Sequence, residues 1–263
     1  MTLKIKTLLL LILSLFSISF LVLNILISTS VIPYSYEVNK IATKEKVVML
    51  TFDDGPELIV DNEILAILEA KEVSGTFFQI GKFIDKRVYN SDATSSSKYL
   101  ELQKRILTSS SYSWIANHTY SHSNYIHQQK LLIEELNKTQ KILAKLYQNI
   151  LHIKINKELV PTRLSYLQYF NGLDYISKAT KNQYFVSGYL GSDFNEAKTG
   201  KERILKQYLR NLRPGQIFVC HTRSYAKEWL PELIDILKNK GYKFASFNPN
   251  SPNYYKKFGN LVS

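Results

Sequence analysis

The chain has 263 residues, a mass of 30.4 kDa, 45% hydrophobic residues and 21% charged residues, which is typical of a globular protein and excludes wholesale disorder and a fibrous repeat. The single cysteine, Cys220, excludes an internal disulfide, so a metal site would need histidine and carboxylate ligands. The formal net charge of +12 favours an anionic partner such as an acidic wall polymer or membrane headgroups. The basic residues are scattered and form no nucleic-acid-binding motif, so we expect no nucleic-acid partner.

The N-terminal segment, residues 1–35, predicts a membrane anchor. Residues 8–27 form a nearly unbroken apolar run, which is long enough as a helix to span the ~30 Å hydrocarbon core. Lys4 and Lys6 precede it, so the positive-inside rule orients the rest of the chain outward. We therefore expect a membrane-anchored protein whose domain lies outside the cytoplasm, in the periplasm or extracellular space. Cleavage of the segment would give a secreted protein instead.

Residues 36–263 are predicted to form one α/β domain, because short apolar runs alternate with helical stretches after Pro33. Strands are predicted at 47–52, 76–80, 113–117, 158–162, 184–189, 216–220 and 242–247. Helices are predicted at 62–73, 128–147, 202–212 and 231–240, and residues 90–98 are predicted as an exposed loop. About seven strands suffice for a distorted (β/α) barrel.

The chemically useful side chains follow these strands. The carboxylate and imidazole side chains that lie at or just beyond the ends of predicted strands are Asp53, Asp54, His118, Asp193 and His221. Barrels of this kind gather their active sites at the carboxyl ends of the strands, so we expect these side chains to converge.

Two short motifs favour a metal site. Residues 51–56 read Thr-Phe-Asp-Asp-Gly-Pro and present two adjacent carboxylates, although an isolated match of this kind would indicate only a turn. His118 and His122 are four residues apart, which on a helical turn would bring both rings to one face. Two histidines and one carboxylate would leave coordination positions open for water and substrate, as in a catalytic site.

With these motifs the chain resembles the polysaccharide deacetylases of carbohydrate esterase family 4, which share the NodB-homology domain. The resemblance extends from about Val47 to Phe247, and residues 75–81 and 215–221 are similar to further family motifs. Two motifs depart from the family pattern. In the third, only Arg163 and Tyr166 remain, and in the fourth Leu190 replaces an acid while Phe194 replaces a tryptophan.

The resemblance implies metal-dependent hydrolysis of an N-acetyl group on an amino sugar. Asp54, His118 and His122 would bind one divalent ion, with zinc favoured and cobalt, nickel or manganese as alternatives. Asp53 would be the general base, assisted by Arg163. His221 would be the general acid, oriented by Asp193, and the backbone N–H of Tyr166 would help to stabilise the oxyanion.

Several functions remain open at this stage. Peptidoglycan N-acetylglucosamine is the favoured substrate, and a lipid-linked or capsular amino sugar is the nearest alternative. The altered third and fourth motifs are also compatible with a glycan-binding domain that has lost turnover. An O-acetyl esterase or a peptidase could use the same residues.

Overall fold

The computed structural model describes residues 37–263 except 155–159, 171, 183 and 211, together with Ser14, Ile18 and Ser19. Apart from Ser14, Ile18 and Ser19, the predicted membrane-spanning helix lies outside the described residues. Within the described part, no helix combines the length and the hydropathy that crossing a bilayer requires. The division into segments 1–35 and 36–263 stays a prediction.

Parallel strands form the centre of a curled sheet. The strands are β1 (Glu37–Val38), β2 (Lys40–Ile41), β3 (Val47–Gly55), β4 (Gly75–Gln79), β5 (Trp114–Asn117), β6 (Phe185–Val186), β7 (Tyr189–Leu190), β8 (Gln216–His221), β9 (Lys243–Phe244) and β10 (Leu261–Val262). The main sheet runs β10-β2-β8-β3-β4-β5, with β7 also paired to β8 and β9 to β3. Strands β2 and β10 are antiparallel to their neighbours.

Single bridges continue the curl beyond the edge of the main sheet. Thr162 pairs with Asn117 at the end of β5 and with Phe185 in β6, which in turn pairs with β1. Strand β7 then returns to β8. The mixed, curled sheet with its surrounding helices fits the predicted distorted (β/α) barrel.

Helices cover the sheet. They are α1 (Leu58–Ala70), α2 (Gly81–Ile84), α3 (Ala93–Thr108), α4 (Gln129–Leu151), α5 (Leu173–Thr180), α6 (Glu196–Thr199), α7 (Lys201–Arg210) and α8 (Ala226–Asn239). All four predicted helices are present with shifted ends. Strand β3 is buried from Val47 to Asp53, and this burial on both faces explains why its sequence is a continuous apolar run rather than an alternating one.

The predicted loop at residues 90–98 is wrong, because α3 begins within it at Ala93. Asp92 caps this helix by accepting a hydrogen bond from the Ser95 backbone N–H at 2.9 Å. Leu102 and Ile106 are buried against the core. The serines of the first turn therefore lie on a helix that is held by its cap and by apolar residues further along.

Two predicted strands are shorter than expected. The run 184–189 forms the separate strands β6 and β7, with Gly188 between them. A Cβ at Gly188 would lie 2.6 Å from the Ile217 carbonyl oxygen, so the close approach of this turn to β8 requires glycine. Of the strand predicted at 158–162, residues 158 and 159 lie outside the described residues, and Thr162 makes isolated bridges only.

Candidate active site

The parallel register brings the predicted residues to one edge of the sheet. Asp53 in β3 is directly opposite His221 in β8 and opposite Phe78 in β4. Gln79 at the end of β4 is opposite Asn117, the residue before His118. A pocket of about 320 Å³ lies at this edge. It is lined by Asp53, Asp54, His118, His122, Tyr166, Leu167, Leu190, Phe194, His221 and Arg223.

Asp54, His118 and His122 form a group of ligand atoms of the kind that holds a metal, since these atoms all lie within 4.8 Å of one another. Asp54 Oδ1 lies 3.4 Å from His118 Nε2 and 3.3 Å from His122 Nε2. The same Oδ1 is buried without a hydrogen-bond partner, which is the condition expected of an atom that a cation would contact. Burial acts to raise the pKa of Asp54, but His118 and His122 outweigh it and hold this pKa well below its usual range. The donor set therefore fits a divalent metal ion.

The two histidines lie in a loop, so the prediction that they share a helical turn is wrong. Thr119 and His122 both adopt left-handed backbone conformations, with φ of 62° and 57°. Glu135 of α4 accepts hydrogen bonds from Ser121 at 2.8 Å and 2.7 Å and another from the Tyr125 hydroxyl. This carboxylate, which the sequence analysis missed, anchors the loop that carries His122. His118 is oriented separately, because its Nδ1 lies 3.0 Å from the Arg163 carbonyl oxygen and its Nε2 is left for Asp54.

Asp53 and Arg163 form a buried ion pair. Arg163 Nη1 donates to Asp53 Oδ1 at 2.7 Å and to the Thr51 hydroxyl at 2.6 Å. Nε and Nη2 bond the carbonyl oxygens of Val186 and Ser187, and the guanidinium carbon lies 4.2 Å from the centre of the Phe78 ring. Arg163 thus has a partner for its charge and for each of its three nitrogens, which explains how it is fully buried.

His221 and Asp193 form a second pair on the opposite side of the pocket from the histidine loop. The Asp193 carboxylate accepts the His221 backbone N–H at 2.6 Å, and its other oxygen lies 3.0 Å from His221 Nδ1. Burial alone would lower the pKa of His221, but the hydrogen bond and charge of Asp193 raise it above its ordinary value. The imidazolium form is therefore favoured, with Nε2 unengaged by Asp193.

The residues of the two altered motifs form the pocket wall. Tyr166 is 62% exposed in a single 3₁₀ turn, Ser165–Leu167, and its ring centre lies 4.6 Å from that of His122. Phe194 lies edge-on to His221 with ring centres 5.7 Å apart. Leu190 contributes an apolar side chain to the same pocket. The predicted role of the Tyr166 backbone N–H stays a prediction.

Comparison with known proteins agrees with this site. The family model described as polysaccharide deacetylase matches residues 40–156. The chain is 27% identical over 213 residues to the peptidoglycan-N-acetylmuramic acid deacetylase PdaA of Bacillus subtilis, covering 78% of this chain and 72% of that protein. It is 25% identical to a peptidoglycan-N-acetylglucosamine deacetylase of Bacillus cereus, covering 81% of this chain and 92% of that protein. The chain is therefore similar to the polysaccharide deacetylases of carbohydrate esterase family 4.

One solved structure with a similar fold is that of a pseudoenzyme. A carbohydrate esterase family 4 pseudoenzyme from Bacillus anthracis superposes with a TM-score of 0.63 at 20% identity, covering 81% of this chain and 67% of that one. The polysaccharide deacetylase fold is therefore confirmed by structure as well as by sequence. Because a pseudoenzyme shares this fold, the fold alone does not establish activity, which depends on the side chains of the site.

Arg223 is a residue of this polysaccharide deacetylase site that the sequence analysis did not identify. It follows β8 in the loop before α8, and its Nη2 donates to Asp54 Oδ2 at 2.7 Å. The arginine side chain is 37% exposed, whereas Arg163 is fully buried. A separation of 169 positions along the chain leaves no local pattern from which this contact could be predicted.

Asp61 is a second unpredicted acid near the site. It is completely buried, and its carboxylate accepts the Glu57 backbone N–H at 3.0 Å and the Thr222 hydroxyl at 2.8 Å. Burial raises the pKa of Asp61 to about 7. Asp61 therefore links the turn after the first motif to the residue that follows His221.

Proposed function

We propose that this protein is a metal-dependent deacetylase that hydrolyses N-acetyl groups on amino sugars of peptidoglycan. The observation that carries the proposal is the presence, in one pocket, of the Asp54, His118 and His122 donor group beside the two partnered pairs Asp53–Arg163 and His221–Asp193. The named activities of the similar Bacillus proteins support peptidoglycan as the substrate class. N-Acetylglucosamine remains the substrate expected from the sequence.

Metal binding and proton acceptance are assigned to different side chains in this reaction. Asp54, His118 and His122 would hold a divalent ion, zinc by preference, whose chemistry when bound is to polarise the acetyl carbonyl and to make a water molecule more acidic. Asp53, which Arg163 positions through a hydrogen bond, accepts the proton of the attacking water.

His221 carries out the opposite proton transfer. Its raised pKa favours the protonated ring, and Asp193 fixes Nδ1 so that Nε2 can donate to the departing amine nitrogen. One proton is thus taken up at Asp53 and one is released at His221. The products are acetate and a free amino sugar.

The test measures acetate and new amine released from peptidoglycan fragments by the purified full-length protein, with and without a chelator. We expect both products in equal amounts, loss of both on chelation, and recovery when zinc is added. Asp54→Ala is the matched variant, in which we expect loss of bound metal together with loss of activity. Acetate without amine would indicate an O-acetyl esterase, and activity that resists chelation would contradict the proposal.

A glycan-binding protein without turnover is the second candidate. The apolar Leu190 in place of an acid, the altered third motif and the similarity in fold to a pseudoenzyme favour it. This candidate predicts that the protein binds glycan fragments while releasing no acetate at any metal concentration. The intact acid–base pairs argue for the enzyme.

We also propose that the protein is anchored in the membrane by residues 1–35 with its domain on the outer side. The apolar run 8–27 and the preceding lysines support this orientation. Protease added outside intact cells should digest the domain, while the protein should sediment with membranes. Recovery of the protein from the medium would instead support cleavage and secretion.

A further inference from the structure

We infer that Arg223 binds a carboxylate on the substrate, so that the site prefers an amino sugar with an acidic substituent, such as the lactyl group of N-acetylmuramic acid, over neutral N-acetylglucosamine. This inference rests on the proposed function and specifies its substrate class.

Arg223 retains hydrogen-bonding capacity at the pocket. Its Nη2 bonds Asp54 Oδ2 at 2.7 Å and its Nη1 bonds the Thr222 carbonyl oxygen at 3.1 Å. A guanidinium has five N–H donors in a planar fork, so donors remain for a further acceptor. The side chain is 37% exposed and lines the pocket, so a bound substrate can reach it.

Among the described lining residues Arg223 is the only arginine, and His221, held by Asp193 through Nδ1, has a single ring nitrogen left to donate. Arg163 is fully buried, and each of its three nitrogens already bonds Asp53, Thr51 or a backbone carbonyl oxygen. Much of the remaining lining is apolar and comes from Leu167, Leu190 and Phe194. A carboxylate that loses its hydration among apolar side chains requires a cation, and the fork of an arginine matches its two oxygens.

The charges of the site favour an anionic substrate. Each of the three carboxylates, Asp53, Asp54 and Asp193, has a basic partner, so the fixed charges of the site nearly cancel. A divalent ion on Asp54 and the two histidines would add positive charge without a matching acid. A substrate with one negative charge would offset part of this excess, whereas a neutral sugar would not.

A different role for Arg223 makes a different prediction. If Arg223 acted only by orienting Asp54, its removal would weaken the reaction of every substrate in the same proportion. If it binds a substrate carboxylate, its removal must weaken the acidic substrate more than an otherwise identical neutral one. The ratio between two matched substrates therefore separates the two roles.

The experiment compares full-length wild type, Arg223→Gln and Arg203→Gln. Arg203 is an exposed arginine on α7, so its replacement removes the same charge outside the pocket. The substrates are peptide-free glycan strands with free lactyl carboxylates and the same strands after conversion to methyl esters. The measured quantity is kcat/KM for acetate release, and calorimetry on the metal-free proteins gives the affinities for both N-acetylated strands.

We expect wild type and Arg203→Gln to prefer the free carboxylate by about tenfold or more, as for a charge-assisted hydrogen bond. In Arg223→Gln this ratio should fall close to one. Equal use of both strands by the wild type, or an equal loss on both strands in Arg223→Gln, would overturn the inference.

A neutral N-acetylglucosamine oligomer serves as a third substrate, which tests the deacetylase activity independently of the carboxylate preference. Acetate release from the oligomer together with no carboxylate preference would refute the role of Arg223 alone. Absence of acetate release from every glycan would refute the deacetylase. In that case the calorimetric affinities still decide the role of Arg223, because equal affinity for the acidic and esterified strands contradicts it.

Discussion

Two neighbouring carboxylates, Asp53 and Asp54, each pair with an arginine at 2.7 Å but in contrasting surroundings. Asp53 and Arg163 are both buried and are fixed by further hydrogen bonds. Asp54 and Arg223 border the pocket, and Asp54 keeps one oxygen without a hydrogen-bond partner. The contrast supports separate proposed roles for two adjacent residues of one strand: Asp53 is fixed in position as the proposed base, and Asp54 keeps an atom available to a cation.

Exchanging the two acids in turn for amides should have the largest effect on activity. Asp53→Asn removes the proposed base but keeps its shape, so we expect acetate release to fall about 10²–10⁴-fold while metal binding persists. Asp54→Asn should instead lose bound metal. Activity assays and metal analysis of both variants check this contrast, and loss of metal from Asp53→Asn with retention in Asp54→Asn would reverse the assignment.

Replacing Arg163 should lower the free energy of unfolding more than replacing Arg223. Arg163→Met leaves a buried carboxylate without its cation, so we expect the free energy of unfolding to fall by about 3–5 kcal/mol. Arg223→Met breaks a partly exposed pair, and we expect a change of about 1 kcal/mol or less. Urea denaturation of both variants measures the difference, and equal losses would show that burial does not distinguish the pairs.

Asp61 is a buried acid that differs from Asp53 and Asp54 in its partners, because it accepts hydrogen bonds from a backbone N–H and a hydroxyl group. Its pKa of about 7 lies above the unfolded value of 3.8, so the folded protein binds the additional proton. Stability from this group is therefore full below pH 4 and is lost as the pH rises towards 7. We expect Asp61→Asn to flatten this part of the stability profile, as measured by urea denaturation at several pH values. An unchanged slope would mean that Asp61 is already ionised at low pH.

The smallest predicted effect concerns the pH dependence of turnover. Asp193 raises the pKa of His221, and the proposed role of His221 as general acid requires the protonated ring, so activity should fall as the pH rises through this raised pKa. Asp193→Asn should move that alkaline limb to lower pH. A pH profile of kcat/KM measures the shift, with Arg203→Gln as a control that should leave the limb in place. Movement to higher pH would contradict the role of Asp193.

Much of the architecture could be predicted from local patterns. The buried strand before Asp53 and the apolar strand before His221 are recognisable as short hydrophobic runs, and parallel pairing then places their ends together. The tract after Asn90 shows where this reasoning failed. Its serines and threonine predict a loop, but the Asp92 cap and the buried Leu102 and Ile106 further along stabilise a helix.

The sequence by itself determined the candidate metal ligands, the two acid–base candidates and the family resemblance, because these depend on residue types in short motifs along the chain. The tertiary structure decided which partner each acid received. The pairing of Arg223 with Asp54, the attachment of the histidine loop to Glu135 and the burial of Asp61 join residues that are distant in sequence or whose surroundings come from other elements. Such contacts depend on how the strands and helices pack, and a periodic pattern within one element carries no information about them.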